Sequence, residues 1–205
     1  MLLVLGRDEE ARVVLERAMA LEPTSSGYSN LGALEFKAGN FQRAAQVFER
    51  AIELGKRDYR VWSNLGAAYR SLPGEEARAR EAFTQALELL RVEEEVDPRD
   101  FSVQAAIAEC EAELGELVSA RERIERVLGR GTTDPEILFT AVKIYEKSGM
   151  RREALNWLRA AFDAGLPVHY AAIRYRTMPP DPPAADVVTW HRDVSFVGHF
   201  FNLAK

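Results

Sequence analysis

Five glycines, Gly6, Gly39, Gly74, Gly115 and Gly149, recur along this 205-residue chain at separations of 33, 35, 41 and 34 residues, and the same pattern follows each of them. Five residues on stands a small side chain (Ala11, Ala44, Ala79, Ala120, Ala154). Nine on stands a large apolar one (Leu15, Phe48, Phe83, Ile124, Leu158), and twelve on comes Ala18, Ala51, Ala86, Val127 or Ala161. Offsets of five, nine and twelve fall on one stripe of a 3.6-residue helix, so each glycine closes a turn and opens an amphipathic helix. A unit of this length cannot bury its apolar face alone, and stacking copies side by side solves that problem.

A second helix precedes four of the glycines, carrying Tyr28-x-x-Leu31-Gly32, Trp62-x-x-Leu65-Gly66-x-x-Tyr69, Gln104-x-x-Ile107-Ala108 and Leu138-x-x-Ala141-Val142-x-x-Tyr145. On these residues the chain resembles the tetratricopeptide repeat (TPR) family, whose 34-residue unit bears W-x2-L-G-x2-Y followed by an alanine, an aromatic and a proline. Trp62, Leu65, Gly66, Tyr69, Ala79, Phe83 and Ala86 match best, Pro23 closes the first copy, and the resemblance covers roughly residues 1–165. It implies an all-α, right-handed α-solenoid of antiparallel helix pairs. Glu35 and Glu111 stand where the family has an aromatic, and Ala108 and Val142 where it has glycine, so the third and fourth units read as degenerate.

The domain reading follows. Residues 1–24 form a partial first unit, its second helix only, and four units occupy 25–58, 59–97, 98–134 and 135–167. The spacing of 41 exceeds 34 by seven residues, about two helical turns, which predicts one elongated helix over 75–96 with its apolar face kept in phase. Asp97-Pro98 is expected to cap and start the next helix, and Thr133-Asp134-Pro135 to repeat that device. Beyond Gly165-Leu166-Pro167, residues 168–205 are read as a capping helix, a connector rich in proline (Pro179, Pro180, Pro182, Pro183) and an aromatic tail with Trp190, Phe196, Phe200 and Phe201. Starting at the last turn of a first helix, the chain leaves an uncapped N-terminal edge.

Composition excludes several function classes. With 27 Lys+Arg against 32 Asp+Glu the net charge is -5, which offers no general attraction to nucleic acid or anionic lipid. A single cysteine, Cys110, excludes an intrachain disulfide framework and suits a reducing compartment. Its alanine-rich helical setting marks it as a small core residue. The apolar start, Met1 to Leu5, is too short for a signal-peptide core or a membrane span, so a cytoplasmic protein is expected. His169, His191 and His199 lack the i, i+4 spacing of a helical zinc motif. Ser195 lacks a nucleophile elbow. No phosphate-cradling glycine loop occurs, so no cofactor, metal or catalytic set is expected. The run Glu93-Glu94-Glu95 reads as a solvated face, with an acidic docking patch as the alternative.

What remains is the concave wall that a superhelix of helix pairs creates. The resemblance implies that first helices line it, here through Asn30, Lys37, Arg60, Asn64, Arg70, Glu109, Phe139 and Lys143. Asparagines offer donor and acceptor to an extended peptide. The charge along this wall alternates: Lys37, Arg60 and Arg70, then Glu109 and Glu113, then Lys143 and Lys147. A ligand with an acidic part followed by a basic part would complement it. The family's chaperone-tail clamp is excluded, because Ala105 and Glu109 stand where that clamp needs basic side chains. The sequence thus points to a non-enzymatic interaction module holding a peptide segment or partner surface, as an adaptor or assembly factor. The alternatives are a scaffold that self-associates through its N-terminal edge or tail, and a regulatory segment of a larger enzyme.

Overall fold

The computed structural model describes residues 8–55 and 58–166, and every described residue outside turns is helical. Helices α1 (Asp8–Leu21), α2 (Ser25–Ala38), α3 (Phe41–Glu53), α4 (Tyr59–Arg70), α5 (Glu76–Val96), α6 (Phe101–Leu114), α7 (Leu117–Leu128), α8 (Pro135–Lys147) and α9 (Arg151–Asp163) follow one another in chain order. They belong to one unit, Met1–Ala171. Gly6, the three histidines, Ser195, the proline connector and the aromatic tail lie outside the described residues.

Local chemistry sets the boundaries. Thr24, Asp58, Asp100 and Asp134 each turn a side-chain oxygen onto free backbone N–H groups of the helix that follows, α2, α4, α6 and α8 respectively. Pro135 occupies the first turn of α8, where a missing N–H costs nothing. The expectation for Asp97-Pro98 is corrected. The cap of α6 is Asp100, whose carboxylate accepts from Ser102 N at 2.8 Å and Val103 N at 3.2 Å. Asp97 instead ends α5 and accepts from Arg99 N at 3.0 Å, which shapes the intervening turn. Gly39 and Gly115 take φ of 85° and 92° at the ends of α2 and α6. Side chains rarely tolerate that left-handed conformation, and these glycines let the next residue's N–H reach back to Glu35 O and Glu111 O.

The glycine-anchored stripe becomes the spine. Ala44, Ala79, Ala120 and Ala154 are buried, as are Phe48, Phe83 and Ile124, and as are Ala51, Ala86, Val127 and Ala161. Small residues let helices approach while the aromatics fill the space between them. A Cβ built on Gly32 would stand 2.7 Å from the Phe48 ring, and one on Gly66 2.9 Å from the Phe83 ring. Where Ala108 and Val142 replace those glycines, the ring position holds the smaller Ile124 and Leu158. Volume is therefore conserved across the exchange, as close packing demands. Those units are repacked.

Each first helix packs on its own second helix and on the second helix of the preceding unit; α4, for example, lies against both α5 and α3. First helices also bring their backbones together, α2 with α4 and α6 with α8, whereas second helices reach one another through long side chains such as Arg43–Glu16 and Arg123–Glu94. In a curved stack the elements on the inner side are the crowded ones, so α2, α4, α6 and α8 form the concave wall. α5 is the longest described helix at 21 residues. Leu90 is its last buried residue, and the turns after it project beyond the core.

Candidate functional site

The wall helices bring part of the expected site together, in an arrangement that changes its chemistry. Arg70 ends α4 and reaches Glu113 on α6 at 3.1 Å, and Glu113 in turn takes Lys147 of α8 at 3.0 Å. One turn away, Glu109 of α6 meets Lys143 of α8 at 2.5 Å and accepts from the Thr140 hydroxyl at 3.4 Å. The alternating charges neutralise one another across the wall. The expectation that they await a ligand with acidic and basic parts is corrected: the sign changes in the sequence are the two halves of interhelical ion pairs.

Phe139 is corrected as well. At 2% exposure it is a core residue of α8, with the Lys143 ammonium 5.8 Å from its ring centre. An apolar ring of that size gains about 2 to 3 kcal/mol by staying out of water, which outweighs presenting it on an open wall. Lys37 is half-buried near the end of α2.

The early units keep hydrogen-bonding groups in reserve. Asn30 is exposed on α2 and Asn64 half-buried on α4, at matching stations just before Leu31-Gly32 and Leu65-Gly66. Neither makes a side-chain hydrogen bond among the described residues. Arg60 lies 65% exposed at the start of α4, stacked 4.5 Å over the Tyr59 ring and 3.8 Å from Asp58. Beside Asn64, Ser63 approaches the Cys110 sulfur at 3.7 Å across the α4–α6 boundary. Burial pushes the Cys110 thiol up to about 12, against which the Ser63 hydrogen bond acts only partly. Cys110 is therefore a closed, protonated core thiol, with no nucleophilic character near neutral pH.

A second set of polar residues was visible in the sequence only as motif tyrosines, Tyr69 and Tyr145, and as departures from them, Glu35 and Glu111. Glu35, Tyr69, Glu111 and Tyr145 occupy the last turn of α2, α4, α6 and α8, and each is tied to second helices. Glu35 is 1% exposed and takes Arg43 at 3.2 Å, Arg12 at 3.5 Å and the Asn40 amide at 2.8 Å. Tyr69 donates to Glu49 and accepts from Arg78. Glu111 takes Arg123 at 3.4 Å, which also holds Glu94 at 2.6 Å. Tyr145 donates to Glu125 at 3.0 Å. Burial, followed by the Glu49 contact, holds the Tyr69 phenol well above its ordinary range. Joints of this kind fix how successive units sit on one another. The signal was an arginine on the following helix, Arg43 or Arg123, but its partner is set by packing and not by spacing.

Among the described residues, no three His, Cys, Asp or Glu side chains gather as a metal site, and no helix is long and apolar enough to cross a membrane.

Residues 30–93, running from α2 into α5, match the tetratricopeptide repeat family model. Over that stretch the chain is similar to tetratricopeptide repeats, and its helix pairs build the all-α repeat array of that fold, a fold that serves protein–protein interaction. Over 101 residues, 49% of this chain, it is 34% identical to Superkiller protein 3 of Schizosaccharomyces pombe, and over 106 residues, 52% of the chain, it is 35% identical to a chloroplastic pentatricopeptide repeat-containing protein of Arabidopsis thaliana. These matches span only 7% and 11% of the relatives' own lengths. Among solved structures, a thermophilic TPR protein of Thermus thermophilus aligns with a TM-score of 0.59 and 25% identity, over 86% of this chain and 91% of that one.

Proposed function

We propose that the wall formed by α2 and α4 holds an extended peptide segment of a partner protein, and that the chain acts as a non-enzymatic adaptor or assembly factor. The observation that carries this reading is the division of labour along the first helices. The charged groups of α6 and α8 spend themselves on each other, while Asn30 and Asn64 stand uncommitted at equivalent stations of neighbouring units. An asparagine amide aimed at a peptide backbone supplies one donor and one acceptor, each worth about 1 kcal/mol net. Two such groups on adjacent units fix the register of a strand without demanding a particular side chain.

Arg70 is unsuitable as a probe of this function, because its loss would also free Glu113. The clean test pairs Asn30→Ala with Asn64→Ala. A photocrosslinking side chain at position 33, exposed on α2, is expected to capture partner peptide, and one at position 46, exposed on α3, is not. The double variant should lose capture with its folding free energy changed by no more than about 0.5 kcal/mol, the range usual for surface substitutions. Undiminished capture by the double variant would move the site off this wall.

A further inference from the structure

We infer that the projecting end of α5 is a second docking surface, on which a basic amphipathic helix of a partner protein lies. Helix α5 continues for six residues after Leu90, its last buried side chain. In that extension Val92 is 60% and Val96 83% exposed, and with half-buried Leu89 they sit at i, i+3 and i+7, one continuous apolar face. Exposed Glu88 and Glu93 flank that face, one on each side. Glu94 points the other way and pins the extension to Arg123 at 2.6 Å, while Glu95 borders a cavity of about 460 Å³ shared with Arg126 and Arg130. The stripe is thus held rigid from behind, so a partner bears little ordering cost.

The charges select the occupant. Carboxylates are unfavourable in the last turn of a helix, where the backbone carbonyls already concentrate negative potential. α5 nevertheless ends in Glu93, Glu94 and Glu95 with no basic residue in its last turn. Glu93 forms no ion pair among the described residues. Arg123 answers Glu94 within the fold, and Glu93 is left for an outside cation to answer. A helix with apolar residues along one face and Lys or Arg on its flanks would cover Val92 and Val96 while relieving the negative end of α5, which is helix-on-helix recognition with complementary rails. The same acidic flanks disfavour an anionic membrane surface.

The test uses the full chain and three fluorescein-labelled synthetic peptides: an amphipathic helix of Leu and Lys, its Leu and Glu counterpart, and a Leu and Lys peptide of identical composition scrambled to destroy the apolar face. The Leu/Lys helix should bind at least ten times more tightly than the other two. Val92→Ser with Val96→Ser should weaken it at least tenfold, and Glu88→Lys with Glu93→Lys should reverse the preference toward the Leu/Glu helix. Asn30→Ala with Asn64→Ala should leave this binding unchanged, which separates it from the wall of α2 and α4. Equal binding of the scrambled peptide, insensitivity to the valine substitutions, or affinity weaker than about 1 mM would overturn the inference. So would a dimer of the unmodified chain that the valine substitutions abolish, since the occupant would then be a second copy. All six substituted positions lie outside the core, and melting curves verify that each variant is folded.

Discussion

Glu35 and Arg43 meet at 3.2 Å across the hairpin of α2 and α3, the carboxylate buried and the guanidinium half in water. This pair stands where the family's pattern has an aromatic side chain, and it replaces ring packing with a charge that Asn40 hydrogen-bonds and two arginines, Arg43 and Arg12, neutralise. Glu35→Ala is expected to destabilise the array by about 3 kcal/mol, the low end for removing one partner of a buried pair, because Arg43 can turn to solvent while Arg12 is more enclosed. Chemical denaturation of the variant, with Arg43→Ala and the double variant to close a cycle, checks it. A coupling energy near zero would show that Arg12 and Asn40 hold Glu35 without help from Arg43.

Gly66→Ala is expected to destabilise even though alanine favours helix by about 1 kcal/mol over glycine. Its Cβ would stand 2.9 Å from a buried Phe83 ring, and overpacking of this kind costs about 1 to 3 kcal/mol. Adding Phe83→Leu should restore stability, since the array itself pairs Ala108 with Ile124 and Val142 with Leu158 at those stations. Thermal melting of the single and double variants distinguishes a steric clash from a backbone effect.

The position of Cys110 predicts a pH response. Its thiol titrates near 12 in the fold, against roughly 8.5 in an unfolded chain. A raised native value means that the stabilisation is fully present below the unfolded value and is lost as pH climbs from there toward the native one. Between about pH 8.5 and 10 stability should therefore fall by up to about 1.4 kcal/mol per pH unit, from this thiol alone. Cys110→Ala should flatten that segment of the curve. A disulfide reagent should label Cys110 only once the protein is denatured.

The ion pairs of the wall predict a response to salt. Glu113 holds both Arg70 and Lys147, so Glu113→Gln removes two contacts together. Because Arg70 is 39% exposed, the cost should be about 1 kcal/mol or less. Raising salt to about 1 M should lower the melting temperature of the parent and move the variant much less. Equal salt responses would show that the ladder adds nothing to stability.

The spine was legible from the chain because glycine, alanine and aromatic positions obey helical geometry at fixed offsets, and local packing needs little more than those. Gly39 and Gly115 announced their left-handed turns, and Asp134-Pro135 its helix start. Asp97-Pro98 misled because Arg99 and Asp100 separate it from Phe101, and Asp100 competes for the same N–H groups. The wall was legible as a surface but not as chemistry. Arg70, Glu113 and Lys147 lie on three different helices, and only the lateral spacing of those helices decides whether their charges face a ligand or each other. Glu35 and Glu111 were seen as departures, while their function as joints depends on arginines contributed by neighbouring helices.

The alternation of Glu35, Tyr69, Glu111 and Tyr145 gives the seams two different chemistries. At an acid seam an arginine of the following helix bridges two carboxylates: Arg43 joins Glu35 to Glu16, and Arg123 joins Glu111 to Glu94. At a phenol seam Tyr69 hands its proton straight to Glu49. Excising residues 59–97 would set Glu111 beside Glu49, a meeting that Arg123 must bridge as Arg43 bridges the first seam. An acid terminus therefore travels only with its own arginine, and a change of length that parts the two leaves a mismatched seam.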